Sequence, residues 1–505
     1  MLNCPESNLC ADVIASRAMF RLFLSISLLA AGCSSPPAVV PVHQATGIKI
    51  CEVDSSSAII WARLTRDSRR VGAEAGLPDV KYVDSESGEL VPRRGRPDSE
   101  PVVTFPEGRD VSTIEGAVPG VAGEIRVRYR ADGSDEWWET SWQATDSEAD
   151  FTKQLRLAGL SPATRYEIQV EGRPGGSQET SSVIEGEFRT APDAETAAEV
   201  LFTVTTGTAY NDQDAEGGGY KMYAEMSKLD PDFFVHTGDI VYYDSLAKTL
   251  PLAEWHWQRM YSLPTNVEFH RKTASYFIKD DHDVFMNDSW PTMETKFMGE
   301  FTFEQGLAVF RQQVGMGERT YRTVRWGKDL QVWMVEGRDF RSPNAMEDGP
   351  EKTIWGPEQF EWLRSTMESS DASFRVLISP TPIVGPDRVR KNDNHANVGF
   401  SFEGERVREF LAGLGNAVVV CGDRHWQYVS RDSETGLREY SSGPASDEHA
   451  GGFSEDQRTE EHVYLNVVGG FLAASVGRVD SEPRLTMRHY SVDGDLLNED
   501  IFTGR

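Results

Sequence analysis

Six short runs of apolar residues, VLFTVTT (200–206), FFVH (233–236), SYFI (275–278), LQVWMV (330–335), RVLIS (375–379) and AVVVC (417–421), dominate the second half of this chain. Each is too short to be a helix and carries too few polar residues for a strand with one wet face, so each reads as a strand buried on both sides. Polar loops follow the runs, and two helical patterns lie between them. These are GYKMYAEMSKL (219–229) and PEQFEWLRSTMES (357–369), the second opening on a proline suited to a first helical turn. Residues 198 to 490 therefore read as an α/β domain.

The first half has a different grammar. Residues 48 to 65 alternate about a polar turn, as do 124–144 and 153–172, so residues 48 to 192 read as an all-β domain. Tyr166 follows the Leu160-Ser161-Pro162 turn, where a tyrosine corner would close a sandwich, and this stretch resembles fibronectin type III modules. Residues 74 to 121, rich in Gly, Pro and charge, read as a long loop or insertion. Before these domains, residues 1 to 33 contain a signal-like apolar run ending in Ala30-Ala31-Gly32-Cys33, with Met19 a plausible start. A Pro- and Ser-containing linker spans 34 to 47. The expectation is an exported protein, periplasmic or extracellular, with Cys33 a candidate lipid anchor.

The balance of 51 basic against 80 acidic residues, a net charge of −29, argues against nucleic acid or an anionic membrane as partner. The five cysteines form no metal-binding or disulfide pattern. Oligomeric state is not legible.

In α/β sheets chemistry collects beyond the carboxyl ends of the strands, and here those positions are rich in ligands. Gly238-Asp239-Ile240-Val241-Tyr242 follows the second run, and Asp280-Asp281-His282-Asp283 with Asn287-Asp288 follows the third. Arg338 and Arg341 follow the fourth, and Gly422-Asp423-Arg424-His425 the last. Carboxylates crowded this closely need a cation or a shared proton to relieve them. Oxygen and imidazole donors together suit iron, manganese, zinc or calcium.

Together, in this order, these loops resemble the signature loops of the alkaline phosphatase D family within the calcineurin-like metallophosphoesterases. The resemblance covers about residues 48 to 480. It implies an N-terminal β-sandwich followed by an α-β-β-α phosphatase domain. It also implies two metal ions, iron and calcium, that clamp the phosphate of a small-molecule ester, with manganese or zinc as substitutes. Asp239 resembles the bridging carboxylate, Tyr242 the tyrosinate ligand, Asn287 the amide ligand, and Asp423 with His425 the closing pair. His282, beside Asp281, resembles the group that protonates the leaving oxygen or steadies the phosphate, and Arg338 a phosphate-binding fork. Asp280 and Asp283 read as supports.

One position departs from the family. Gly207 stands where a cysteine ligand is expected, and Asp212, Asp214 and His395 are the candidates to compensate. Two alternatives stay open: a phosphodiesterase or phospholipase whose cleft is shaped by residues 381–400, and an inactive binding homologue. His236, inside its strand, reads as a packed histidine, and His449 as a loop residue without a role.

Overall fold

The computed structural model describes residues 40–503, apart from 94 and 389; the signal-like run and Cys33 lie outside the described residues. Two large sheets carry the molecule. The first is nine-stranded, in the order Leu496–Phe502, Glu482–Tyr490, Phe471–Val479, Val200–Thr205, Phe233–His236, Ala274–Phe277, Ile48–Cys51, Ser57–Arg63 and Thr152–Ala158. The second has seven strands, Arg322–Trp326, Leu330–Met334, Phe374–Ser379, Ala417–Cys421, Arg438–Ser442, Gln427–Arg431 and His462–Asn466.

Side chains alternate across each strand, and the alternation sets the layers. Phe202, Val204, Phe233, Val235 and Tyr276 of the first sheet share one core with Val332, Met334, Val376, Ile378, Val418 and Val420 of the second. Phe234 and Phe277 face the other way and meet Met222, Tyr223, Trp257 and Phe269 from helices Lys221–Lys228, Leu250–Tyr261 and Pro264–His270. On the far side of the second sheet, Trp333, Leu377 and Val419 pack with Leu363, Met367, Val407 and Leu411 of helices Gly356–Ser369 and Ser401–Gly413.

The first sheet does not stop where the domains were expected to part. Ile48–Cys51 pairs in parallel with Ala274–Phe277, placing Ile50 opposite Ala274. On its other edge it pairs antiparallel with Ser57–Arg63, which pairs in turn with Thr152–Ala158. A further sheet of Ser182–Arg189, Arg165–Arg173, Glu124–Ala131 and Trp138–Glu139 faces these three strands. Ile60, Val127, Leu155 and Ile168 fill the space between. Tyr166 Oη accepts the Ser161 backbone N–H at 2.8 Å, the bond a tyrosine corner makes.

Two buried cations tie this region to helix Phe303–Gln313. Lys49 Nζ donates to the Gln313 carbonyl at 2.9 Å and lies 3.3 Å from the centroid of the Trp61 ring. Arg63 pairs with Asp150, whose Oδ2 also accepts from Gln313 Nε2 at 2.9 Å.

Residues 74–121 are more ordered than their composition predicts. Asp79–Val83, Leu90–Pro92 and Pro101–Thr104 form a small antiparallel sheet. Its strands are only three to five residues long and mostly half-exposed, so they leave little apolar signal. Tyr82 anchors them, buried and stacked on Phe297 at 5.5 Å.

Candidate metal centre

The parallel strands of both sheets end at one edge, and the ligand-bearing loops meet there. Three aspartates in them, Asp239, Asp288 and Asp423, have φ of 56°, 61° and 60°, a region L-residues enter at a cost. The glycines before two of them are dictated by space. A Cβ on Gly238 would lie 2.6 Å from Asp280 Cβ, and one on Gly422 would lie 2.7 Å from the Pro380 carbonyl oxygen. The Gly-Asp pairs thus bring loops from both sheets into backbone contact.

Asp239 is the common member of two donor groups. It lies with Asp281 and His282 in one and with Asp280 and Asp423 in the other, each set having ligand atoms within 4.8 Å of one another. Tyr242 Oη stands 3.5 Å from Asp239 Oδ2 and 3.5 Å from His425 Nε2. His425 Nε2 is 3.9 Å from Asp239 Oδ2. The Asn287 backbone N–H donates to Asp244 Oδ1 at 3.0 Å, the carboxylate that also approaches His282.

The buried oxygens Asp239 Oδ1 and Asp280 Oδ2 have no hydrogen-bond partner among the described residues. Leaving such atoms unmade is expensive, and a cation is the partner their chemistry suits. Burial pushes the pKa of Asp239 well above the ordinary carboxylate range, with Asp281, Asp280 and Asp283 adding to the rise. Burial does the same to Tyr242, assisted by Asp239. A bound cation reverses both effects. The residues present therefore fit a metal ion.

Asp283 is structural support: its Oδ1 accepts the backbone N–H groups of Ile240 and Val241 at 2.7 and 2.9 Å, fixing the turn that carries Tyr242. His236 braces the same turn, near Thr208 and Gly238, and burial lowers its pKa to about 3.

His282 Nδ1 lies 2.7 Å from Asp244 Oδ2, an ion-pair contact, and its ring lies 4.5 Å from that of Tyr242. Burial opposes its charge, but Asp244, Asp281 and Asp239 outweigh burial and raise its pKa well above the ordinary value. Asp281 is a brace: it accepts the backbone N–H groups of Asp288 and His282 and lies near Arg338.

Arg338, read as a phosphate fork, and His395, read as a substitute ligand or phosphate contact, sit elsewhere. Arg338 is wholly buried behind the carboxylates, with Nε on Asp280 Oδ1 at 2.6 Å. The acid surplus that suggested a metal site consumes this guanidinium. His395 is buried against Trp355, its Nε2 2.9 Å from Glu403 at the start of helix Ser401–Gly413. Of the compensating candidates, Asp212 approaches the centre indirectly, through His449.

Sequence reasoning passed over three side chains here. His449 Nε2 lies 2.7 Å from Tyr242 Oη. Lys391 bridges Asp288 and Asp393 at 2.8 and 2.9 Å, and Arg388 is near enough to help depress the His425 pKa. The cluster DRVRK (387–391), basic within an acidic chain, was the available signal for the last two; His449 had none.

Comparisons with known proteins bear on the family and the fold. A family model described as PhoD-like phosphatase matches residues 202–467. The alkaline phosphatase D of Bacillus subtilis (strain 168) is 23% identical over 271 residues, an alignment spanning 43% of this chain and 45% of that protein. Among solved structures, one described as the structure of PhoD shares the fold with a TM-score of 0.67 at 16% identity, covering 92% of this chain and 90% of that one. Purple acid phosphatase PPD1 from yellow lupin (Lupinus luteus) seeds gives 0.56 at 12% identity, covering 88% and 79%. With the family model matching over half of its length, and its ligand loops converging within that match, the chain belongs to the PhoD-like phosphatase family.

Proposed function

We propose that this chain hydrolyses small phosphate esters with a two-metal centre that Asp239, Tyr242, Asn287, Asp423 and His425 would hold, Asp239 being the residue shared by both ions. The observation that carries the reading is the position of Asp239: it belongs to both donor groups, and its Oδ1 is buried without a partner. When bound, the ions supply Lewis-acid polarisation of the phosphoryl group and stabilise its charge.

The chain's own residues do the rest. Asp283 and Gly238 hold the loop so that the Asp239 carboxylate enters the cleft. Arg338 fixes Asp280, and through it the turn that carries Asp281 and His282. With Nδ1 turned to the Asp244 carboxylate, His282 would use Nε2 to deliver a proton to the departing ester oxygen. Lys391, paired with Asp288 and Asp393, ties the 387–393 segment to the loop that carries Asn287.

The same reading takes the second half as an α-β-β-α sandwich and residues 48–192 as a fibronectin-like layer joined to its edge. It places the mature protein outside the cytoplasm, with Cys33 as its anchor. No helix among the described residues is long and apolar enough to cross a membrane.

The test is metal analysis of the purified protein, paired with hydrolysis of aryl phosphate mono- and diesters under added iron, calcium, manganese or zinc. About two ions per chain and turnover of one ester class are expected. A protein that neither takes up metal nor cleaves either ester would overturn the reading.

A further inference from the structure

The strand Val200–Thr205 leads to the centre but ends in Thr206-Gly207, which offers no side-chain metal donor of the carboxylate, imidazole or thiolate kind. The space beside Gly207 is nonetheless filled. A Cβ built there would lie 3.3 Å from His449 Cδ2, 3.4 Å from Pro444 Cβ and 3.6 Å from Tyr242 Oη. We propose that His449 is a metal ligand of this centre, entering from the opposite side of the cleft into the room left by Gly207, with Asp212 as the carboxylate that orients it. The proposal rests on the two-metal reading above and assigns one residue within it.

Three observations converge. First, His449 Nε2 points at the atoms that gather around Asp239. It is 2.7 Å from Tyr242 Oη, which is itself 3.5 Å from both Asp239 Oδ2 and His425 Nε2. The His449 and His425 rings lie 4.2 Å apart. Two donors bound at about 2.0–2.1 Å to one tetrahedral ion sit about 3.3 Å apart, so His449 Nε2 and Tyr242 Oη, 2.7 Å apart, need part only slightly to share a cation.

Second, the other ring nitrogen is committed. Nδ1 lies 2.8 Å from Asp212 Oδ2. A carboxylate there holds the proton on Nδ1 and leaves the Nε2 lone pair for a metal, the arrangement that orients most ligating histidines. Asp212 is 237 residues distant in sequence, so this pairing is a product of the fold.

Third, the loop that carries His449 is fastened on both sides of the centre. The Ala445 N–H donates to the Gly207 carbonyl at 3.2 Å, and the Gly451 N–H to the His425 carbonyl at 2.9 Å. Asp447 Oδ1 accepts from the Gly469 N–H at 2.8 Å. The segment between these anchors is a single 3-10 turn, Asp447–His449, with the imidazole at its end. Gly207 and His449 are matched: a side chain at 207 would press on the ring.

With His449 included, the donors on this side are one carboxylate, one phenol oxygen and two imidazoles. Imidazole-rich sets of this kind suit zinc or iron over calcium.

The test measures metal binding rather than turnover. Wild-type protein, His449→Ala and Asp212→Asn are stripped with chelator, reloaded with zinc or manganese, and their bound ions counted by mass spectrometry at graded free metal. The proposal expects wild type to hold about two ions. His449→Ala should bind one of them at least about 100-fold more weakly, and Asp212→Asn about 10-fold more weakly. Added imidazole should restore the lost ion in His449→Ala, a rescue that a merely structural role would not give. Circular dichroism identifies a misfolded variant, and Asp212→Asn, which keeps the ring, then carries the test. Wild type with both ions and both variants unchanged would overturn the assignment while leaving the two-metal reading intact. Wild type that cannot be loaded would bring down that reading and this assignment with it.

Discussion

Arg63 and Arg338 are both buried in this protein, and they are buried differently. Arg63, between the N-terminal layers and the rest, is matched atom for atom. Its Nε donates to the Asp150 carbonyl and Oδ2 at 2.8 and 2.9 Å, Nη2 to Oδ1 at 2.6 Å, and Nη1 to the Val118 carbonyl at 2.7 Å. Arg338, behind the ligand loops, also binds a carboxylate at 2.6 Å, yet its Nη2, Asp280 Oδ2 and nearby Asp239 Oδ1 are left without hydrogen-bond partners. A finished network holds a fold together, whereas an unfinished one is complete only when something else binds. Equal burial and equal charge therefore mean different things, and the leftover atoms tell them apart.

The largest effect expected from this contrast is on Asp239. Asp239→Asn should lower turnover at least about 1,000-fold, roughly 4 kcal/mol in the barrier. The metal-free variant should unfold at the same denaturant concentration as metal-free wild type, or a higher one, because an unpartnered buried carboxylate has been neutralised. Asp150→Asn should do the reverse, sparing turnover while lowering stability. Steady-state kinetics and urea titrations on both variants check this, and a stability loss in metal-free Asp239→Asn would break the comparison.

Next is Arg63→Ala. Removing one partner of a buried, fully bonded pair costs about 3–5 kcal/mol. Turnover per folded molecule should not change, since Arg63 lies in the sandwich strand Ser57–Arg63 and touches none of the ligand loops. A fall in turnover that tracked no loss of folded protein would show coupling between the two regions that this structure does not contain.

Arg338→Met should act in the opposite proportions. With its guanidinium gone, Asp280 loses the bond that orients it, and metal affinity should fall by about 10–100-fold, as when other supports of metal ligands are removed. Calorimetric titration of stripped protein with zinc or manganese reads this directly. Unaltered affinity would make Arg338 a purely structural cation like Arg63.

The same contrast explains what the sequence could reveal. Six apolar runs gave six strands because a strand buried on both faces has no other pattern, and Gly238-Asp239 and Gly422-Asp423 stood out because the turns they make leave room for nothing larger. Arg338 was legible as a cation near the site but not as a buried one. A guanidinium suits phosphate and carboxylate equally, and only the fold shows that Asp280 reaches it first. His449 was illegible for a related reason. It meets Tyr242 across 207 residues, and nothing local distinguishes a loop histidine that will be braced by a distant aspartate. The pairing of Ile50 with Ala274 was hidden likewise, because register between distant strands is set by the whole sheet.

That pairing gives the smallest prediction its use. Tyr166→Phe removes one hydroxyl and its bond from the Ser161 N–H, while the ring keeps its stacking on Phe188 at 5.6 Å. Ser161 is exposed, so water takes the vacated N–H and the cost should be only about 1 kcal/mol. The informative quantity is where that loss appears. Were the N-terminal layers an independent sandwich, only an early phase of unfolding would shift. Instead, Ile48–Cys51 is hydrogen-bonded in parallel to Ala274–Phe277, two strands from Val200–Thr205, and residues 40–503 belong to one compact unit. The sheet that carries the tyrosine corner's partner layer is the sheet that carries Asp239. Tryptophan fluorescence and loss of ester hydrolysis, followed together in urea, should therefore show one transition in wild type and variant alike, with both midpoints displaced by the same small amount. A fluorescence midpoint that moved while the activity midpoint stayed fixed would mean that the continuous sheet does not couple the two regions.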